Sequence, residues 1–454
     1  MSSLHDLTAA QAVAEICGGR LSPVELVDAL LARIEALEPD IRAWETVDAE
    51  GARAAARARE AELREGGPPG TLHGVPVGLK DIYFTAGMRT SMSSTVYRDF
   101  VPDQDAAVVA GLRAAGAIVL GKTVTTEFAT GDPPRTRNPW NHAHTPGGSS
   151  SGSAAAVAAR MCPLATGSQT AGSVCRPAAY NGIVGLKPTY GRVSRFGVFP
   201  VSWSLDTLGW MTRDVTDAAL VLDAVSGFDE RDPATRDAPA PRATAALEAP
   251  TGWQPRIGVA GGFFTERADA EMAGNLRGVA DRLAGAGAAV EPFKLPDSFD
   301  AVLEAQVAID YSECALVHRE TFMRQPDDYA PNIRSRIEAG FLIPASAYLQ
   351  AQRVRRQWRS DMQRALEDCD ALLTPSTPTP PAADLSSTGD PMFQAPWTMA
   401  GLPEITLPTA LSRAGLPMGV QLVARAWDDS GLLRTARWVE RALDVDLGMP
   451  RAIA

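Results

Sequence analysis

Two serine-bearing loops of small residues hold the reactive chemistry this sequence offers. The first runs Pro146-Gly147-Gly148-Ser149-Ser150-Ser151-Gly152-Ser153, and the second Gly167-Ser168-Gln169-Thr170-Ala171-Gly172-Ser173. Small side chains let backbone N–H groups approach a ligand closely. Each loop leads into a segment expected to be helical, and a helix N-terminus favours developing negative charge. A serine ending such a loop is a hydroxyl nucleophile beside donors suited to an oxyanion. A Gly/Ser linker or a phosphate nest would account for one loop alone. Two of them, separated by one short helix and strand, favour the reactive reading.

A serine nucleophile needs a base. Histidine occurs only at positions 5, 73, 142, 144 and 318. Of the 43 basic side chains only Lys80, Lys122, Lys187 and Lys294 are lysines. Lys80 closes the apolar run Gly74-Val75-Pro76-Val77-Gly78-Leu79-Lys80 and precedes Asp81. Burial at a strand end disfavours the charged amine and makes lysine a base near neutral pH, a change arginine does not undergo. The plain alternative is a Lys80–Asp81 ion pair, and the motif by itself leaves both open.

The elements that must position these residues alternate between helix and strand. Ser22-Pro23-Val24-Glu25 is a capping box opening a helix to about Leu37. Ala49–Arg64 reads as a second helix, Val75–Lys80 as a buried strand, Ala106–Ala115 as a helix and Ile118–Leu120 as a strand. A short helix over 152–160, a strand over 162–166, the loop 167–173 and a helix over 215–225 follow. Residues 229–255 are Pro/Ala/Asp-rich and read as a surface excursion. Later come a strand at 256–260, helices at 267–286 and 346–368, strands at 371–373 and 418–423, and a helix from about Ser430. This order predicts an α/β protein built on a sheet.

Composition narrows the function. The 454 residues are 45% hydrophobic, enough for a substantial core, and carry a net charge of −11. A general nucleic-acid binder would carry the opposite sign, so no nucleic-acid partner is expected. No uncharged apolar run of about 18 residues appears, so no membrane partner is expected. The N-terminal residues lack a basic stretch followed by an apolar one, and a cytoplasmic location is the default. The five cysteines are widely spaced, form no CxxC pair, and read as buried thiols. His142 and His144 form an H-x-H pair without an evident third ligand, and no metal is expected.

With these motifs in view the chain closely resembles the amidase signature family. The resemblance lies in the strand ending at Lys80, LGKTVTTEF at 120–128, NPWN at 138–141, TPGGSSSGSAAAVAA at 145–159, the run 171–194, AGLPEITLP at 400–408 and GLPMGVQLVAR at 415–425. It spans about residues 5–445 and implies one domain over 1–454. That domain would be a large mixed sheet covered on both faces by helices. Core motifs would lie at about 70–225 and 370–426, N-terminal helices at 1–65, and a variable substrate segment at about 260–345. By resemblance, Ser173 is the nucleophile, Ser149 a bridging serine after a cis Gly148–Ser149 bond, and Lys80 the base. The N–H groups of Thr170, Ala171, Gly172 and Ser173 form the oxyanion hole, and Ser150 supports the loop. Residues 82–85 and 123–128 are expected to line the pocket. The implied activity is hydrolysis of a small-molecule amide through an acyl-enzyme, without cofactor; the resemblance leaves a homodimer open.

Other readings stand beside it. Gly148-Ser149-Ser150-Ser151-Gly152 satisfies the G-x-S-x-G elbow, with Ser150 as nucleophile and His318 the one later histidine, but no strand signal precedes it. A non-catalytic interaction protein would be expected to lose Lys80 or a serine. A carbamate or urea-derivative hydrolase, or the glutaminase subunit of a tRNA-dependent amidotransferase, would use the same three residues. Gln169, Ala171 and Cys175 depart from the family pattern, which often has Asp, Gly and Arg there, and an Arg stands instead at Arg176.

Overall fold

The computed structural model describes residues 3–453. The eleven strands among these residues join one mixed sheet. In chain order they are β1 (Trp44–Val47), β2 (Pro76–Lys80), β3 (Ile118–Thr123), β4 (Leu164–Gln169), β5 (Val184–Lys187), β6 (Thr207–Thr212), β7 (Arg256–Ala260), β8 (Ala289–Phe293), β9 (Ala371–Pro375), β10 (Glu404–Leu411) and β11 (Pro417–Val423). Their spatial order is β1-β3-β2-β4-β6-β5-β10-β11-β9-β7-β8. β2 runs parallel to β3 and β4, and β7 parallel to β8 and β9; the remaining pairs are antiparallel.

The central strands are buried over their whole length, which is why they read as apolar runs without alternation. Beside β2 and β4 lies the fully buried helix Ser151–Ala158. Only small residues permit this approach. A Cβ on Gly152 would lie 2.2 Å from Ala43 O and 2.5 Å from Val124 N.

Several elements differ from the sequence expectation. The first long helix is capped by Ser22 as expected but runs from Pro23 to Ile41, because Pro39 falls in its last turn and still allows it to finish. The expected loop 167–173 is shorter: Gly167, Ser168 and Gln169 pair with β6 as strand residues, since neighbouring strands supply backbone partners that small side chains do not advertise. The segment 260–345 holds the helices Ala270–Gly285, Val302–Arg324 and Pro331–Leu342. Cys17 is exposed rather than buried, and Cys369 is only half-buried. No helix among the described residues is long and apolar enough to cross a membrane.

Gly152→Ala drives a methyl group into backbone atoms on two sides, a fault that neither side chain motion nor rotamer change relieves. Overpacking of this kind costs roughly 1–3 kcal/mol or more. A thermal unfolding scan should show a clearly lowered Tm; an unchanged Tm would show that the helix does not sit this close.

Candidate active site

Lys80 ends β2 with no exposed side-chain atom. Its Nζ lies 2.8 Å from Ser149 Oγ, 2.8 Å from Ser168 Oγ and 3.5 Å from the Ser168 carbonyl. These partners are all neutral oxygens. Burial pushes the Lys80 pKa well below the ordinary lysine range, with the Asp206 charge opposing only in part. The Lys80–Asp81 pair left open by the sequence is absent. Asp81 instead faces Lys122 at 3.8 Å and accepts from the Ser91 hydroxyl. Burial lowers Lys122 to about 8 and raises Asp81 to about 6, each partner opposing the shift of the other. Lys187 is buried and donates to backbone carbonyls. Lys294 alone among the four is exposed.

Ser149 follows a cis Gly148–Ser149 bond, and its carbonyl accepts from Thr125 Oγ1 at 3.2 Å and the Thr126 N–H at 3.1 Å. Gly147 precedes it at φ +77°, where a Cβ would meet Pro177 Cα at 2.9 Å; only glycine fits this turn. Ser151 Oγ donates to the Gly147 carbonyl at 2.6 Å. Ser150 Oγ accepts weakly from the Ser168 N–H at 3.4 Å, so it ties the loop to β4.

Ser173 is half-buried and lines a cavity of about 290 Å³. The wall includes Thr170, Ala171, Arg176, Asp310, Arg336 and the 386–389 loop. The two serine loops meet where the Ser150 N–H donates to the Ser173 carbonyl at 3.4 Å. No hydrogen bond joins the Ser149 and Ser173 hydroxyls among the described residues. The pocket expectation needs correction: residues 82–85 and 123–128 are absent from this wall. Val124, Thr125 and Glu127 line a separate cavity of about 710 Å³ across the Ser149 strap, since the chain turns at Phe128 and Ala129, both with positive φ, before reaching the Ser173 side.

The residues that depart from the family pattern have defined places. Gln169 Oε1 accepts the N–H groups of Val174 (2.9 Å) and Cys175 (3.0 Å), while its Nε2 donates to Thr398 Oγ1 at 3.0 Å and to Glu404. Arg176 donates to the Gly148 carbonyl at 2.7 Å and to the Gly389 carbonyl at 2.8 Å, bracing the bridging serine's loop. Thr170 Oγ1 donates to Asp206 at 2.6 Å. Burial raises Asp206 to about 6. Sequence reasoning missed Thr398, Asp206, Asp310 and Arg336; each is distant in sequence and carried no motif of its own.

The competing elbow finds no support in the geometry. Ser150 is fully buried with no strand before it, and His318 packs against Phe128 with its Nδ1 3.2 Å from the Tyr329 hydroxyl. Around His142 and His144 no group of three His, Cys, Asp or Glu that could hold a metal occurs among the described residues.

Known proteins share this architecture. The A-type chain of the glutamyl-tRNA(Gln) amidotransferase of Roseiflexus sp. (strain RS-1) is 38% identical, the alignment covering 99% of this chain and 99% of that protein. The native peptide amidase of Stenotrophomonas maltophilia superposes with a TM-score of 0.87 at 32% identity, covering 99% of each chain. A structure from a vestigial protein complex bearing on the origins of an s-triazine catabolic enzyme superposes with a TM-score of 0.90 at 32% identity, covering 96% of this chain and 98% of that one. Residues 25–433 match the Amidase family, and the chain therefore belongs to that family of amide carbon–nitrogen hydrolases.

Proposed function

We propose that the chain hydrolyses the carbon–nitrogen bond of a small polar amide through an acyl-enzyme, with Ser173 as nucleophile, Ser149 as bridge and Lys80 as base. The observation that carries the reading is the 2.8 Å contact between Ser149 Oγ and a fully buried amine that has no carboxylate against it. A neutral Lys80 amine donates to Ser168 and directs its lone pair at the Ser149 hydroxyl. It takes the Ser149 proton as Ser149 takes that of Ser173. The two hydroxyls meet by rotation when substrate fills the cavity, since catalytic hydrogen bonds commonly tighten only in the substrate complex.

Ser173 Oγ then bonds to the amide carbon, and the carbonyl π pair moves onto oxygen. The N–H groups of Thr170, Ala171, Gly172 and Ser173 receive that charge, each such donor supplying roughly 3 kcal/mol. Collapse breaks the C–N bond, and the leaving amine takes the relayed proton back from Lys80 through Ser149. Water repeats the sequence on the acyl-enzyme and frees Ser173.

The Arg336–Asp310 pair, 3.2 Å apart in the cavity wall, favours an acyl part with charged or hydrogen-bonding groups. Glutamine is such a molecule, and the similarity to glutamyl-tRNA(Gln) amidotransferase chains favours a second reading. In it the chain is a glutaminase that releases ammonia within a complex with partner subunits. Carbamates and urea derivatives present a similar carbonyl. A homodimer and a cytoplasmic location belong to the same proposal.

A hydrolysis panel of glutamine, short aliphatic amides, aryl amides and a carbamate tests both readings. A polar amide should be hydrolysed by the chain alone, and Ser173→Ala should lose activity by about a thousandfold or more. Glutamine turnover seen only with partner subunits selects the second reading, and unchanged turnover in Ser173→Ala contradicts both.

The reactive form of Lys80 is the uncharged one. Its lowered pKa means that kcat/KM stays high at neutral pH and falls as acidification protonates the amine. Lys80→Arg remains protonated at every accessible pH. It should be slower by about a hundredfold or more across the whole profile, and an active Lys80→Arg enzyme would rule out the base assignment.

A further inference from the structure

Resting on the amide-hydrolysis reading above, we propose that Thr398 is a positioning residue: its hydroxyl aims the Gly172 N–H into the cavity that Ser173 lines. Thr398 lies on the buried helix Ala395–Ala400, remote in sequence from the loop and outside the cavity wall. Its Oγ1 donates to the Ala171 carbonyl at 2.8 Å and accepts from Gln169 Nε2 at 3.0 Å. A threonine hydroxyl has one hydrogen. The amide N–H of Gln169 occupies a lone pair, so that hydrogen is committed to Ala171.

The consequence follows from peptide geometry. The bond between Ala171 and Gly172 is trans, since the one cis bond among the described residues is Gly148–Ser149. In a planar trans unit the C=O and the following N–H point in opposite directions. Holding the Ala171 carbonyl toward Thr398 therefore turns the Gly172 N–H away from that helix, toward the side where Thr170, Ala171 and Ser173 face the cavity. The next unit is set the same way, because the Gly172 carbonyl accepts the Arg176 N–H at 3.0 Å. That leaves the Ser173 N–H facing outward as well.

Gln169 completes the division of donors. Its Oε1 takes the N–H groups of Val174 and Cys175, which are thereby committed inside the protein. A carboxylate at position 169 would accept those two bonds but, when ionised, has no hydrogen to give Thr398. Packing does not substitute for the hydroxyl at Gly172 itself. A Cβ there would lie 2.7 Å from Gln394 Oε1 and 3.1 Å from Pro391 Cβ.

The test compares Thr398→Val, which keeps the shape and removes the hydroxyl, with Thr398→Ser, which restores it. The readouts are kcat and KM on the best amide of the panel and the rate at which an alkyl fluorophosphonate labels Ser173. Labelling forms a tetrahedral adduct whose oxygen needs the same donors. Thr398→Val should lower kcat and the labelling rate together by about tenfold or more, with KM within about twofold. Thr398→Ser should return both to within about threefold of the parent. Thr398→Ala takes the place of the valine variant if thermal unfolding shows the latter to be unfolded. A Thr398→Val protein with parental kcat and labelling rate overturns the proposal, as does a loss confined to KM or one that serine does not rescue. Persistent hydrolysis by Ser173→Ala would overturn the underlying reaction instead, so the two failures are distinguishable.

Discussion

Lys80 ends a strand whose every residue is buried, and its nitrogen meets only serine oxygens and one carbonyl. An ammonium ion in such a place forfeits its hydration without a counter-charge, a penalty of several kcal/mol even after relaxation. The sheet therefore stabilises the amine against the ammonium. Lys122, on the neighbouring strand β3, sharpens the contrast. It is equally buried, but Asp81 stands 3.8 Å from it, and its pKa falls only to about 8. The acid next to Lys80 in sequence serves the other lysine, and this division of partners frees Lys80 for base chemistry.

Everything else in the site is arranged around that amine. β4 lies beside β2 in parallel and carries Ser168 to the amine's far side. The same strand then delivers Gln169 and the Thr170–Ser173 loop toward the cavity. The other loop reaches Ser149 across the top, held by Arg176 on the Gly148 carbonyl and by Thr125 and Thr126 on its own. Glycines at 147, 152 and 172 sit where a methyl group would strike backbone or buried side chains. Loop shape is thus set by close backbone contact and by polar side chains buried beneath it, with Gln169 joining the nucleophile's loop to Thr398 and Glu404.

How much of this could be read from the chain follows from the range of each signal. The capping box at Ser22, the apolar run ending at Lys80 and the two serine loops are local, and they correspond to a capped helix, a buried strand and two adjacent loops. The strand character of Gly167–Gln169 is not legible, because it comes from pairing with β6, far along the chain, rather than from its own side chains. Thr398 and Arg336 are equally silent. One is a threonine in an apolar helix and the other an arginine among many, and each gains meaning only from what it faces. The partner of Asp81 is hidden for a related reason: neighbours along a strand point to opposite faces.

Because the chain has only four lysines, the charge state of Lys80 is open to direct observation. Lysine labelled with ¹³C at the ε-carbon gives a spectrum simple enough to assign through Lys80→Met, and titration follows each amine separately. The account predicts that at about pH 8 the Lys80 signal already has the neutral-amine shift, whereas an ordinary exposed lysine keeps its proton to about pH 10. A Lys80 signal that stays in the ammonium position through that range and titrates like a free lysine would contradict it.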